Sequence, residues 1–230
     1  MRVKPDSKIP KISVLIPHGA LRLPGELIVP GGAVGLVLFA HGSGSSRHSP
    51  RNQAVAQALQ ARGIGTLLFD LLTEAEEEEE LYTRHLRFDI LLLADRLAAA
   101  TEWISKHEIT RDLPLGYFGS STGAAAALVA AAKLGDKISA VVSRGGRPDL
   151  AGDFLPRVKA PVLLIVGGND DMVIALNEHA RRHLCCENSV SIVPGATHLF
   201  EEPGALEQVA RLAADFFLKQ FQPPPKQKLC

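Results

Sequence analysis

The feature that most constrains this chain is a series of short, uninterrupted apolar segments spaced along its length. Residues 34–40 (VGLVLFA), 65–70 (GTLLFD), 115–119 (LGYFG), 138–143 (ISAVVS), 160–168 (APVLLIVGG) and 189–194 (SVSIVP) each read as a strand. Most lack the alternation of a half-solvated strand, so both faces must be buried. Between them lie stretches with helical spacing, at residues 53–61, 88–107, 124–134, 172–183 and 204–221, the second with Trp103 on its inner face. A sheet covered on both sides by intervening helices is built from right-handed strand–helix–strand units. The predicted class is α/β, with a doubly wound, mostly parallel sheet. Residues 13–17 and 21–29, turning at His18-Gly19-Ala20, add an antiparallel hairpin at one edge.

No internal repeat or linker interrupts this rhythm, and 230 residues suffice for one full core. We read residues 1–221 as a single domain and the Pro- and Lys-rich residues 222–230 as a disordered tail. The 25 basic and 25 acidic side chains cancel, which leaves no electrostatic footprint for nucleic acid or an anionic membrane. No apolar run reaches the roughly 20 residues of a membrane helix. Residues 1–17 lack the apolar centre of a signal peptide. Cys185, Cys186 and Cys230 make no disulfide framework, so a reducing, cytoplasmic setting is expected. Cys185 and Cys186 read as small buried apolar residues. Residues 74–80 (EAEEEEE) read as a solvated, mobile loop or frayed helix start, because like charges at that density repel.

The chemistry centres on Gly119-Ser120-Ser121-Thr122-Gly123, a G-x-S-x-G sequence. The pentapeptide alone is weak; its setting carries the weight. It follows the apolar segment at 115–119 and opens the Ala-rich helix at 124–134, as a nucleophile elbow requires. A sharp strand-to-helix turn lifts the serine above the sheet, and the helix N-terminus favours a developing oxyanion. A serine hydroxyl needs a base, and the base an orienting acid. In a sheet of this kind the acid and then the histidine follow the serine, on loops at later strand ends. Gly167-Gly168-Asn169-Asp170-Asp171 supplies the acid, with Asp170 favoured and Asp171 expected to cap the next helix; Ala196-Thr197-His198 supplies the base. Upstream, His41-Gly42-Ser43-Gly44 offers the backbone N–H of Ser43 as an oxyanion donor beside that of Thr122, and His41 reads as a residue that orders this loop.

With these segments in this order, the chain resembles the α/β-hydrolase superfamily, and its compact layout and Thr197-His198-Leu199-Phe200 ending resemble the dienelactone-hydrolase-like branch. The resemblance implies an eight-stranded sheet, and Ser121, Asp170 and His198 as nucleophile, acid and base. It also implies hydrolysis of an ester or related acyl bond with no metal or other cofactor. Dienelactone hydrolases proper use a cysteine where this chain has Ser121, so lactone specificity does not carry over.

Only residues 144–159 join the sixth and seventh strands, too few for a large cap domain. Arg144 and Arg147 in that link, with Arg47 and Arg51 beyond the oxyanion loop, are candidates for binding an anionic group on a small acyl substrate. The alternative for these arginines is surface pairing with Asp149, Asp153 or the acidic segment. Rival readings of the whole are an inactive ligand-binding protein on the same fold, or an acyltransferase or peptidase using the same residues. Nucleotide binding is disfavoured, since the elbow lacks the phosphate-loop lysine and no G-x-G-x-x-G opens the first strand–helix turn.

Overall fold

The computed structural model describes residues 9–222, so all of the expected tail except Gln222 lies outside the described residues. Eight strands form one sheet: β1 (Lys11–His18), β2 (Leu21–Ile28), β3 (Leu36–Ala40), β4 (Gly65–Phe69), β5 (Leu115–Ser120), β6 (Ile138–Arg144), β7 (Val162–Gly167) and β8 (Asn188–Val193). Their spatial order is β1-β2-β4-β3-β5-β6-β7-β8. The hairpin β1–β2 is antiparallel and joins β4 antiparallel, while β4 through β8 run parallel. Every residue of β3, β4, β5 and β7 is buried, as their unbroken apolar composition requires. The edge strand β8 instead alternates Ser with apolar residues and is half-exposed, because only one strand lies beside it.

Helices cover both faces. On one side α1 (Pro50–Ala61) packs against α6 (Ala205–Gln220), over Val37, Phe39, Phe118 and Val142. On the other lie α3 (Ile90–Ile104), α4 (Thr122–Leu134) and α5 (Asp171–Arg181), over Leu38, Leu67, Tyr117 and Leu164. Burying each such Leu or Val contributes roughly 1.5–3 kcal/mol. Of the alanines of α4, Ala124–Ala127, Ala130 and Ala131 are fully buried and Ala132 partly so, and their small side chains let this helix seat closely between the sheet and its neighbours. Trp103 is only half-buried, at the rim of the α3 packing face. The β6–β7 link holds 3₁₀ turns over Pro148–Arg157 and carries no inserted cap. No helix among the described residues is long and apolar enough to cross a membrane.

Two local expectations are corrected. The acidic segment is neither loop nor frayed: it forms α2 (Glu74–Thr83), opened by a capping box between Thr73 and Glu76. Its charge is relieved by arginines distant in sequence. Glu76 takes a fork from Arg96 at 2.5 and 2.7 Å, and the fully buried Glu80 accepts from Arg87 and from the N–H of Leu86. Local charge density therefore gave the wrong answer because the compensating cations come from elsewhere in the chain. The second correction concerns Cys185, which is exposed beyond the end of α5, while Cys186 is half-buried with its thiol pKa pushed up by burial.

Candidate active site

Ser121 stands at the junction of β5 and α4 with φ 51° and ψ −123°, a strained conformation for a residue with a side chain. The flanking glycines explain how the turn closes. A Cβ on Gly123 would collide with the carbonyl oxygen of Ala40, and one on Gly119 would stand 2.5 Å from the Ala124 Cα. Backbone bonds fix the turn to the end of β6: the Ser121 N–H donates to the Arg144 carbonyl at 3.4 Å, and the Arg147 N–H to the Ser121 carbonyl at 3.1 Å.

The acid and base loops converge beside it. Asp170, rather than Asp171, occupies the position before the first residue of α5, yet its side chain caps nothing. Its carboxylate instead meets His198, Oδ2 to Nδ1, at 2.7 Å. Asp171 begins the helix and is exposed. His198 and Ser121 line one cleft of about 230 Å³, although no hydrogen bond joins the two side chains. Such bonds commonly tighten only in the substrate complex.

The loop after β3 supplies the opposite wall. Gly42 lies so close to the elbow that a Cβ there would stand 3.0 Å from the Ser121 Cβ. The peptide between Gly42 and Ser43 is held from both ends. Its carbonyl accepts from His41 Nδ1 at 3.0 Å, and its N–H donates to Thr122 Oγ1 at 3.1 Å. His41 Nε2 in turn accepts the Leu71 N–H at 2.9 Å. A ring that donates through Nδ1 and accepts through Nε2 is neutral, consistent with burial driving its pKa below the ordinary imidazole value.

The arginines separate into two groups. Arg147 forks onto Asp149 at 2.9 and 2.8 Å, Arg47 pairs with Asp70, and neither lines the cleft. Arg144 does line it, together with Arg51. Two contributors escaped the sequence reading. Gly145, with φ 49°, lets the chain pass where a Cβ would stand 3.1 Å from the His198 carbonyl oxygen. Phe200, fully buried with φ 57°, supports the loop from below. The paired glycines after Arg144 were the available signal for the first; the second was read only as part of the Thr197-His198-Leu199-Phe200 ending, without its supporting role. Among the described residues, no group of three or more His, Cys, Asp or Glu side chains is arranged to hold a metal ion.

A strand-to-helix serine, a later carboxylate–histidine pair and an eight-stranded sheet covered by helices on both faces define an α/β-hydrolase. The chain belongs to that family: the alpha/beta hydrolase domain profile matches residues 33–214. Within it, the protein falls in the dienelactone-hydrolase-like branch. It is 56% identical to a dienelactone hydrolase of Anabaena variabilis, covering 94% of this chain and all of that one, with a TM-score of 0.92. Est1E from Butyrivibrio proteoclasticus, 18% identical over 90% of this chain and 98% of its own, shares the fold with a TM-score of 0.76. Two curated proteins of Mycobacterium tuberculosis, each named as a proposed phosphoribosyl transferase, are 55% identical over 205 residues. That match takes in 89% of this chain but 45% of theirs, so the chain spans about half the length of these relatives.

Proposed function

We propose that the protein is a serine hydrolase that cleaves an ester or related acyl bond through an acyl-enzyme. The observation that carries this reading is the 2.7 Å contact of Asp170 with His198, which lines the same cleft as Ser121. Asp170 accepts the Nδ1 proton of His198 and so presents Nε2 as the base. His198 takes the Ser121 proton as Oγ attacks the carbonyl carbon, then returns it to the leaving group. It next deprotonates the water that releases the acyl group.

The Thr122 N–H and the Ser43 N–H receive the oxyanion. The second of these donates to the Thr122 hydroxyl, so the developing charge must compete with a neutral acceptor for it. A charged oxygen wins such a competition, since charge-assisted hydrogen bonds are about twice as strong as neutral ones. Each oxyanion donor contributes about 3 kcal/mol to the transition state. The transferase name belongs to relatives about twice as long as the matched segment, and the cleft residues support hydrolysis instead.

A fluorophosphonate probe should label the wild-type chain at Ser121, and p-nitrophenyl acetate should be turned over. The substitution Ser121→Ala should abolish both. Labelling that persists without Ser121 removes it as nucleophile, and a labelled protein with no turnover on a panel of esters and thioesters favours the inactive binder.

A further inference from the structure

We infer that the cleft carries a subsite for a phosphate group on the substrate, built by Arg144, Arg51 and the first turn of α1. Arg144 is the last residue of β6 and is 7% exposed. Its Nε and Nη1 atoms are buried with no hydrogen-bond partner among the described residues. No carboxylate among the described residues pairs with it, and Asp170 is committed to His198. Its guanidinium lies over the Phe200 ring, 5.8 Å from the ring centroid, and feels the like charge of Arg51. Burial first, and Arg51 second, push its pKa down to about 10, which leaves it a cation at neutral pH.

Elsewhere this protein neutralises its partly or wholly buried arginines with care: Arg96 has Glu76, Arg87 has Glu80, and Arg47 has Asp70. A buried, unpaired guanidinium is costly to the fold, and such a group persists where an anion from outside completes it.

The surroundings of Arg144 select the anion. Arg51 lends the same cleft a second guanidinium; its Nη1 reaches Glu201 at 3.1 Å, while its Nε is buried with no partner among the described residues. Ser45 and Ser49 add hydroxyls to the lining. Ser49 caps the 12-residue α1 by accepting the Asn52 N–H, which leaves its own proton to donate, and the helix N-terminus adds positive potential. One guanidinium fork saturates a carboxylate. Two guanidiniums, two hydroxyls and a helix terminus suit a dianionic tetrahedral group with three oxygens. The substrate class is an acyl ester whose acyl or leaving group bears a phosphate monoester, held with its carbonyl over Ser121.

The location beside Ser121 rests on the hydrolase reading, but the binding does not, and the test separates them. Inorganic phosphate and acetate are titrated calorimetrically into the full chain, into Ser121→Ala and into Arg144→Met. Phosphate should bind wild type and Ser121→Ala alike, and Arg144→Met at least about tenfold more weakly. In thermal melts without phosphate, Arg144→Met should be no less stable than wild type, because it removes an unpaired buried charge. Should that variant fail to fold, Arg144→Lys, which keeps the charge and loses the fork, should bind phosphate more weakly. In turnover, an acyloxyethyl phosphate should exceed the matched neutral ester in kcat/KM by about tenfold or more, a ratio that falls in the Arg144 variants. Acetate binding as tightly as phosphate, no binding of either, or binding indifferent to Arg144 overturns the subsite. Phosphate binding by a chain that turns over no ester leaves the subsite standing and removes the hydrolase reading.

Discussion

The carboxylate of Asp170 lies 2.7 Å from Nδ1 of His198, joining loops that follow β7 and β8 across 28 positions of sequence. Asp171, its neighbour, is exposed on the first turn of α5. In the proposed mechanism, Asp170→Asn holds the wrong tautomer of His198, and kcat should fall by roughly 10⁴-fold with little change in melting temperature. Asp171→Asn should change kcat by less than about twofold. Steady-state kinetics on both variants decide between the two acids, and equal losses would dissolve the assignment.

Gly145 should tolerate no side chain. Its φ of 49° disfavours L residues, and an added Cβ meets the His198 carbonyl oxygen at 3.1 Å and the Phe200 ring at 3.3 Å. Gly145→Ala should cost about 1–2 kcal/mol in urea unfolding. It should also lower kcat by at least about tenfold, since in the proposed mechanism displacing the His198 loop misplaces the proton acceptor. A variant with wild-type rates would mean that His198 is free to move.

In the proposed mechanism His41 orders the oxyanion wall and is not the base. Removing it leaves the buried Leu71 N–H without its acceptor and frees the Gly42 carbonyl. His41→Ala should therefore destabilise by about 1–3 kcal/mol. In saturating ester kcat should fall more than KM rises, because a loosened Ser43 peptide affects the transition state. A change confined to KM would contradict that role.

The acidic helix α2 should be stable to mild acid and give way at lower pH. Burial alone would raise the Glu76 carboxyl, but Arg96 and Thr73 hold it down to about 2, and Arg87 with the Leu86 N–H holds Glu80 there too. A folded pKa below the unfolded value of 4.5 gives stabilisation that is complete above 4.5 and lost as pH falls toward 2. Glu77, pushed upward by burial, acts in the opposite sense on the same helix. Amide exchange across α2 should stay slow from neutral pH to about 5 and quicken below 4.5, after correction for intrinsic rates; Arg96→Met should remove much of this dependence. Flat protection down to pH 2 would show that the arginines do not hold the helix.

Much of the frame was legible because it is local. The unbroken apolar runs mark the central strands, and their boundaries fall within a few residues of those observed. The order of Ser121, Asp170 and His198 after β5, β7 and β8 could be read from the chain alone. What failed was whatever depended on partners distant in sequence. Seven residues at the start of α2 look like a repelling run until Arg87 and Arg96 are placed beside them. Arg47, Arg144 and Arg147 look alike as letters; the fold gives the first and third their own aspartates and leaves the second bare against the cleft.

The sequence by itself determined a mostly parallel sheet with a serine at a strand-to-helix turn, because hydrophobic period and backbone permissiveness are properties of neighbouring residues. Tertiary structure decided which charges are neutralised, which peptide faces the serine, and how closely Gly145 lets the base loop approach. Those outcomes depend on distances between segments far apart in the chain, and electrostatic and packing energies are set by those distances rather than by the order of the letters.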